Sequence, residues 1–166
     1  MSARIISTLL LLGSLASGCS YWEAHFYEGF LPSTIEVTEN LFTDSIRGGV
    51  IEGCGVAIYR LSPSTIERIN SVGIDYFRQA IHPRKDGGRS FTYSEWKETP
   101  HSASIYKEVS DPERSYAGMS CADVPSRLGK AISQSLRVKG SFYTSARTRE
   151  VIVIPSLELA IFSYNK

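Results

Sequence analysis

No stretch of this sequence is apolar for long enough to be kept in a bilayer as a helix, which takes about 20 predominantly apolar residues. The run from Ile5 to Ala16 is shorter, is broken by Ser7, Thr8, Gly13 and Ser14, and ends in small residues rather than in a charged stop. An excess of charge of one sign is lacking too: 18 basic side chains stand against 17 acidic ones, with no basic stripe of the kind a nucleic-acid binder shows. Histidine is scarce, and His25, His82 and His101 are dispersed without the paired spacing of a metal site. No metal and no other cofactor is therefore expected. A Walker lysine pattern, internal repeats and heptads are also missing, which argues against nucleotide hydrolysis, solenoids and coiled coils.

What is present starts at the N-terminus. One basic residue, Arg4, precedes the apolar run, which is the pattern of an export signal. Ala16, Ser17 and Gly18 supply the small side chains that a signal peptidase needs in an extended substrate, and Cys19 follows at once. The segment Leu15, Ala16, Ser17, Gly18, Cys19 resembles the lipobox of bacterial lipoproteins, with Ala16 where that family more often has leucine. This resemblance covers the first twenty residues and implies cleavage after Gly18 and acylation of the Cys19 sulfur. Each buried methylene contributes about 0.8 kcal/mol, so the two or three chains usual in that family make a lasting anchor. Ser20, in place of aspartate, implies the outer membrane by the family's sorting rule. The alternatives are a secreted protein cut near Cys19 without lipid, and an uncut cytoplasmic chain.

Taking the first 18 residues from 166 leaves 148, a usual size for one domain with one core. With Cys19 taken up by lipid, as the resemblance implies, Cys54 and Cys121 remain as a pair in an oxidising compartment, where a disulfide is expected. Free thiols, intermolecular pairing and a catalytic cysteine are the alternatives.

Along the chain, Trp22, Phe26 and Phe30 recur at spacing four, so that a helix there has an aromatic face. That face either packs on its own domain or rests in a membrane interface. Residues 31–49 read as an irregular connection with a short strand near Thr34 to Thr38. Cys54 to Leu61 reads as a strand with Val56 and Ile58 on one side and Ala57, Tyr59 and Leu61 on the other, while Gly53 and Gly55 suggest a bulge or close backbone approach at the cysteine. From Ser62 the pattern is helical, with Pro63 in the first turn, Ile66, Ile69, Phe77 and Ile81 on one stripe, and Gly73 as a breaking point. Phe91 to Trp96 alternates like a strand. A second helix is expected from Pro125 to Leu136 with Asp123 as its cap, and three strands close the chain: Gly140 to Ser145, Arg149 to Ile154, and Leu157 to Tyr164. The fold class expected is α+β, a mostly antiparallel sheet packed with two helices. The expected division is 1–18 signal peptide, 19–49 lipid anchor and membrane-proximal segment, and 50–166 α+β domain.

Chemistry is thin. Gly118 to Ala122 approaches a nucleophile elbow around Ser120 but lacks the final glycine and the strand before it. A thiol peptidase acting on the cell wall is the stronger enzyme alternative, using Cys54 with His101 or His82, since Cys121 has no histidine after it. Cys54 lies in a predicted strand, however, not at a helix start, and the Asp-Cys-Ser-Gly signature of such enzymes is absent. Glu95, Glu98, Asp111 and Glu113 read as solvated carboxylates. Arg84, Lys85 and Arg89 surround two glycines and are candidates for contact with an anion or lipid headgroup. Tyr21, Tyr93, Trp96, Tyr106, Tyr116 and Tyr143 are candidates for a partner patch. The function expected is a non-catalytic binding or assembly role at a periplasmic membrane face, with the membrane held through the N-terminal lipid, an envelope protein as partner, and no nucleic acid.

Overall fold

The computed structural model of the chain describes residues 22–48, 52–85, 91–100 and 118–165. The expected signal peptide, Cys19, Tyr21, Arg89, His101, Tyr106, Asp111, Glu113 and Tyr116 lie outside the described residues.

One six-stranded antiparallel sheet organises the molecule. Its strands are β1 (Val37–Gly48), β2 (Glu52–Leu61), β3 (Lys97–Glu98), β4 (Phe142–Ala146), β5 (Arg149–Ile154) and β6 (Leu159–Asn165), arranged β1-β2-β6-β5-β4-β3. Among the described residues three helices accompany it: α1 (residues 22–28), α2 (Pro63–Val72) and α3 (Ser126–Ser135). The fold is α+β, with α1 adding a third helix to the two expected.

The period-two alternation of strand side chains puts apolar residues on both faces of the central strands. Ala57, Tyr59 and Leu61 of β2, Val151 and Val153 of β5, and Ala160 and Phe162 of β6 share one core with Tyr27, Ile69 and Phe77. The intervening residues Val56, Ile58, Ile152, Ile154, Leu159 and Ile161 form the opposite core with Ile132 and Leu136. Register pairs such as Ala57 with Phe162 and Val151 with Phe162 keep each set on its own face.

Local chemistry explains the element ends. The Ser62 side chain accepts a hydrogen bond from the Thr65 amide at 3.2 Å and caps α2, with Pro63 in its first turn. Gly73, at φ 61°, ends that helix in the left-handed half of backbone space, and a 3₁₀ turn, Gly73–Phe77, carries Tyr76 and Phe77 into the core. The hairpin between β4 and β5 closes over Arg147 and Thr148, with Ala146 paired to Arg149.

Three expectations are corrected. Residues 37–48 are not an irregular connection but the 12-residue edge strand β1, so the sheet takes in chain that the sequence placed in a membrane-proximal segment. Edge strands pack on one partner and tolerate polar residues, and β1 is irregular in register at Val37/Glu39 and Asn40/Phe42. Residues 91–96 run beside the sheet without joining its ladder, which β3 enters only at Lys97. Asp123 does not cap α3: Pro125 stands at that position, and the Asp123 amide donates instead to Asp44 Oδ2 at 2.8 Å.

Candidate functional site

The N-terminal helix divides its aromatics between core and surface. Ala24, Tyr27 and Leu31 follow one another at spacings of three and four and turn inward, and Phe30 joins them. Trp22 and Phe26, also four apart, lie on the outer stripe and remain 62 % and 45 % exposed. Their rings stack at 5.6 Å with an interplanar angle of 11°, and Phe26 meets Phe30 edge-on at 5.2 Å. The aromatic row expected from the sequence is therefore split: Phe30 serves the fold and the other two face outward.

Polar contacts fix α1 on the sheet. Tyr59 Oη donates to the Ala24 carbonyl at 2.6 Å, and Tyr93 Oη to the Phe30 carbonyl at 2.8 Å. The Tyr27 and Tyr164 hydroxyls meet at 2.8 Å, and Glu23 Oε1 accepts from Tyr27 at 3.0 Å and from Ser45 at 2.5 Å. Burial pushes the hydroxyls of Tyr59 and Tyr93 well above their ordinary pKa, and burial together with the bond to Tyr164 does the same for Tyr27. These groups therefore stay protonated and able to donate at neutral pH.

Arg84, expected to meet an anion, is spent inside the molecule: its guanidinium donates to the Glu28 carboxylate and to the Ile35 carbonyl. A fixed carboxylate at contact range, reinforced by backbone bonds from Arg84 to Leu31 and from Lys85 to Gly29, holds it there. Lys85 is exposed beside it. Arg84 is thus withdrawn from the basic group that the sequence suggested.

At the far end of β2, Cys54 and Cys121 are joined by a disulfide across a sequence separation of 67, with Cα atoms 6.3 Å apart. It fastens the 3₁₀ turn Met119–Cys121 to the sheet. The approach leaves no room for side chains nearby: a Cβ on Gly118 would fall 1.9 Å from the Gly55 carbonyl oxygen, and one on Gly55 would fall 2.8 Å from Ser45 Cβ. The close backbone approach expected at Cys54 is therefore present at Gly55, with Gly118 as its other half. Ser120 lies within that turn rather than in a strand-to-helix elbow.

Aromatics expected at the surface are inside it. Tyr93 and Trp96 are 4 % and 5 % exposed, and Tyr143 is buried as well. Trp96 satisfies its indole N–H on the Ala80 carbonyl at 2.8 Å and stacks on Phe77 at 4.3 Å. An open cleft of about 440 Å³ runs along Ile74, Phe77, Ile81 and Trp96. Asp75 and Arg78 border it and pair with each other at 2.9 Å. His82 and Glu95 are exposed, and Glu98 accepts from the Gly140 amide at 3.2 Å. His25 stands 3.7 Å from Glu28 on the outer side of α1, so the described histidines belong to different parts of the fold. Among the described residues there is no cluster of three His, Cys, Asp or Glu that could hold a metal, and no helix is long and apolar enough to cross a membrane. Comparisons of the chain with protein-family models, with curated proteins and with solved structures gave no match.

Proposed function

We propose that this chain is a small lipid-anchored envelope protein, held through Cys19 at the periplasmic face of the outer membrane, with a non-catalytic binding or assembly role. The observation that carries the reading is how near the packed structure comes to that cysteine. The chain is helical from Trp22, three residues after Cys19, and this helix is fastened to the sheet through Ala24, Tyr27 and Phe30. Three residues of fully extended chain span at most about 10 Å. A domain tied that closely to an acylated cysteine works at the membrane surface rather than at the end of a long tether. The cystine supports the same address, since disulfides persist in oxidising compartments.

The thiol-peptidase alternative requires Cys54 as a thiolate beside His101 or His82. Bonded to Cys121, its sulfur has no thiolate to offer. The pair Asp75 and Arg78 at the mouth of the apolar cleft is likewise engaged with itself.

Intact mass of the protein extracted from a bacterial membrane fraction without reductant tests the reading. The expected chain lacks residues 1–18, carries acyl groups, and exposes two thiols only after reduction. Cross-linking in the same membranes should recover an envelope protein in stoichiometric amount. An unacylated chain with a freely alkylated Cys54 overturns the proposal.

A further inference from the structure

We infer that Trp22 and Phe26 enter the headgroup layer of the bilayer, so that the outer stripe of α1 is a second membrane contact and sets which side of the domain faces the lipid. The inference rests on the anchor reading above and adds an orientation to it.

Reach comes first. The headgroup layer is about 5 to 7 Å thick on each side of the hydrocarbon core, and an acylated cysteine sits at its inner boundary. The chain from Cys19 to Trp22 spans at most about 10 Å, so Trp22 lies within that layer or no more than about 5 Å outside it. Without the lipid, two large stacked rings in water would be an unrewarded exposure; with it, they are placed where aromatic side chains partition favourably.

Charge on the helix agrees. An anionic surface would repel carboxylates, and both carboxylates of α1 are drawn toward the domain. Glu23 accepts from Tyr27 and Ser45, and one oxygen of Glu28 takes the Arg84 guanidinium while the other stands 3.7 Å from His25. The outer stripe is left with Trp22 and Phe26, with His25 beside them. The exposed rings are thus the part of α1 suited to the interface, where aromatic side chains partition favourably. Because Tyr59 holds the Ala24 carbonyl of the helix and Tyr93 the Phe30 carbonyl just after it, inserting the rings orients the whole domain rather than a loose segment.

The molecule supplies its own probe, since it has two tryptophans and Trp96 is buried. The acylated full-length protein is placed in vesicles of phosphatidylethanolamine and phosphatidylglycerol whose acyl chains carry bromine near the glycerol end. The expected result is that bromine quenches the Trp22 emission, obtained as the difference between the native protein and Trp22→Phe, while Trp96 in that variant is little affected. Phe26→Ser should reduce the quenching. An acylated protein whose Trp22 ignores the bromine and is quenched by aqueous acrylamide overturns the inference and leaves the anchor standing. Shielding of Trp22 from both quenchers also overturns it, because protein rather than lipid then covers the stripe. A chain found without acyl groups overturns anchor and orientation together.

Discussion

On the sheet face that carries α1 and α2 the core is aromatic, with Tyr27, Phe30, Tyr59, Phe77, Tyr93, Trp96 and Phe162 among its members, whereas the α3 face is built mainly from Val56, Ile58, Ile132, Ile152, Ile154 and Ile161. The aromatic side is fixed by direction. Tyrosyl and indole donors reach the carbonyls of Ala24, Phe30 and Ala80, so α1 and the chain after α2 have one place to sit. The aliphatic side is closed by other means. Its boundary is secured by a covalent bridge and by the contact of Gly118 on Gly55. Shape-filling hydrocarbon holds a helix against a sheet, but buried donors specify where along the sheet it rests.

The largest loss should come from the centre of the aromatic face. Phe77→Ala removes a fully buried ring stacked on Trp96 and should cost about 3 to 5 kcal/mol in urea unfolding. Of similar or slightly smaller size is Cys54→Ser, at roughly 4 kcal/mol from loop closure alone. Amide exchange then separates the faces: protection should fall at the start of β2 and around Met119–Cys121 while α1 keeps its own. Equal loosening of α1 would show that the two faces are one cooperative unit. Tyr59→Phe is the next smaller change, about 1 to 2 kcal/mol, because the buried hydroxyl bond to the Ala24 carbonyl is lost. The same hydroxyls give a pH test. Burial raises the pKa of Tyr27, Tyr59 and Tyr93 above the ordinary 10.0, so the unfolded chain releases these protons first. Their contribution is fully present below that pH and is lost as pH climbs above it, and Tyr59→Phe should make the alkaline decline shallower. Smallest is Trp22→Ser, expected within about 0.5 kcal/mol in solution because the ring is exposed.

The elements legible in the sequence are those with apolar residues at regular intervals: β2, β4, β5 and β6, together with α3 and the capped α2 with its break at Gly73. Strand β1 is not, because an edge strand is half solvated and its run of Thr, Glu, Asn and Asp reads as a loop. Phe91 to Trp96 misleads for the opposite reason. Tyr93 and Trp96 do point in, but the backbone there is tied by single bonds, Tyr93 to Ile81 and Ser94 to Ser145, rather than by a ladder. The candidate site is half legible. Spacing four puts Trp22, Phe26 and Phe30 in a row, yet only packing decides which of them turns inward. Arg84 looks free in sequence because Glu28, its partner, lies 56 residues away.

The strand order bears on the export route proposed for this chain. Strand β6 follows every other described strand in the sequence, yet it lies between β2 and β5 and stitches the pair β1-β2 to the group β5-β4-β3. A chain threaded N-terminus first, as proposed, therefore cannot complete this sheet until Leu159–Asn165 has come through. Pairing across such sequence distance is slow, which favours the extended form that threading requires. On the proposed export route, the sheet closes only when β6 has paired with both β2 and β5.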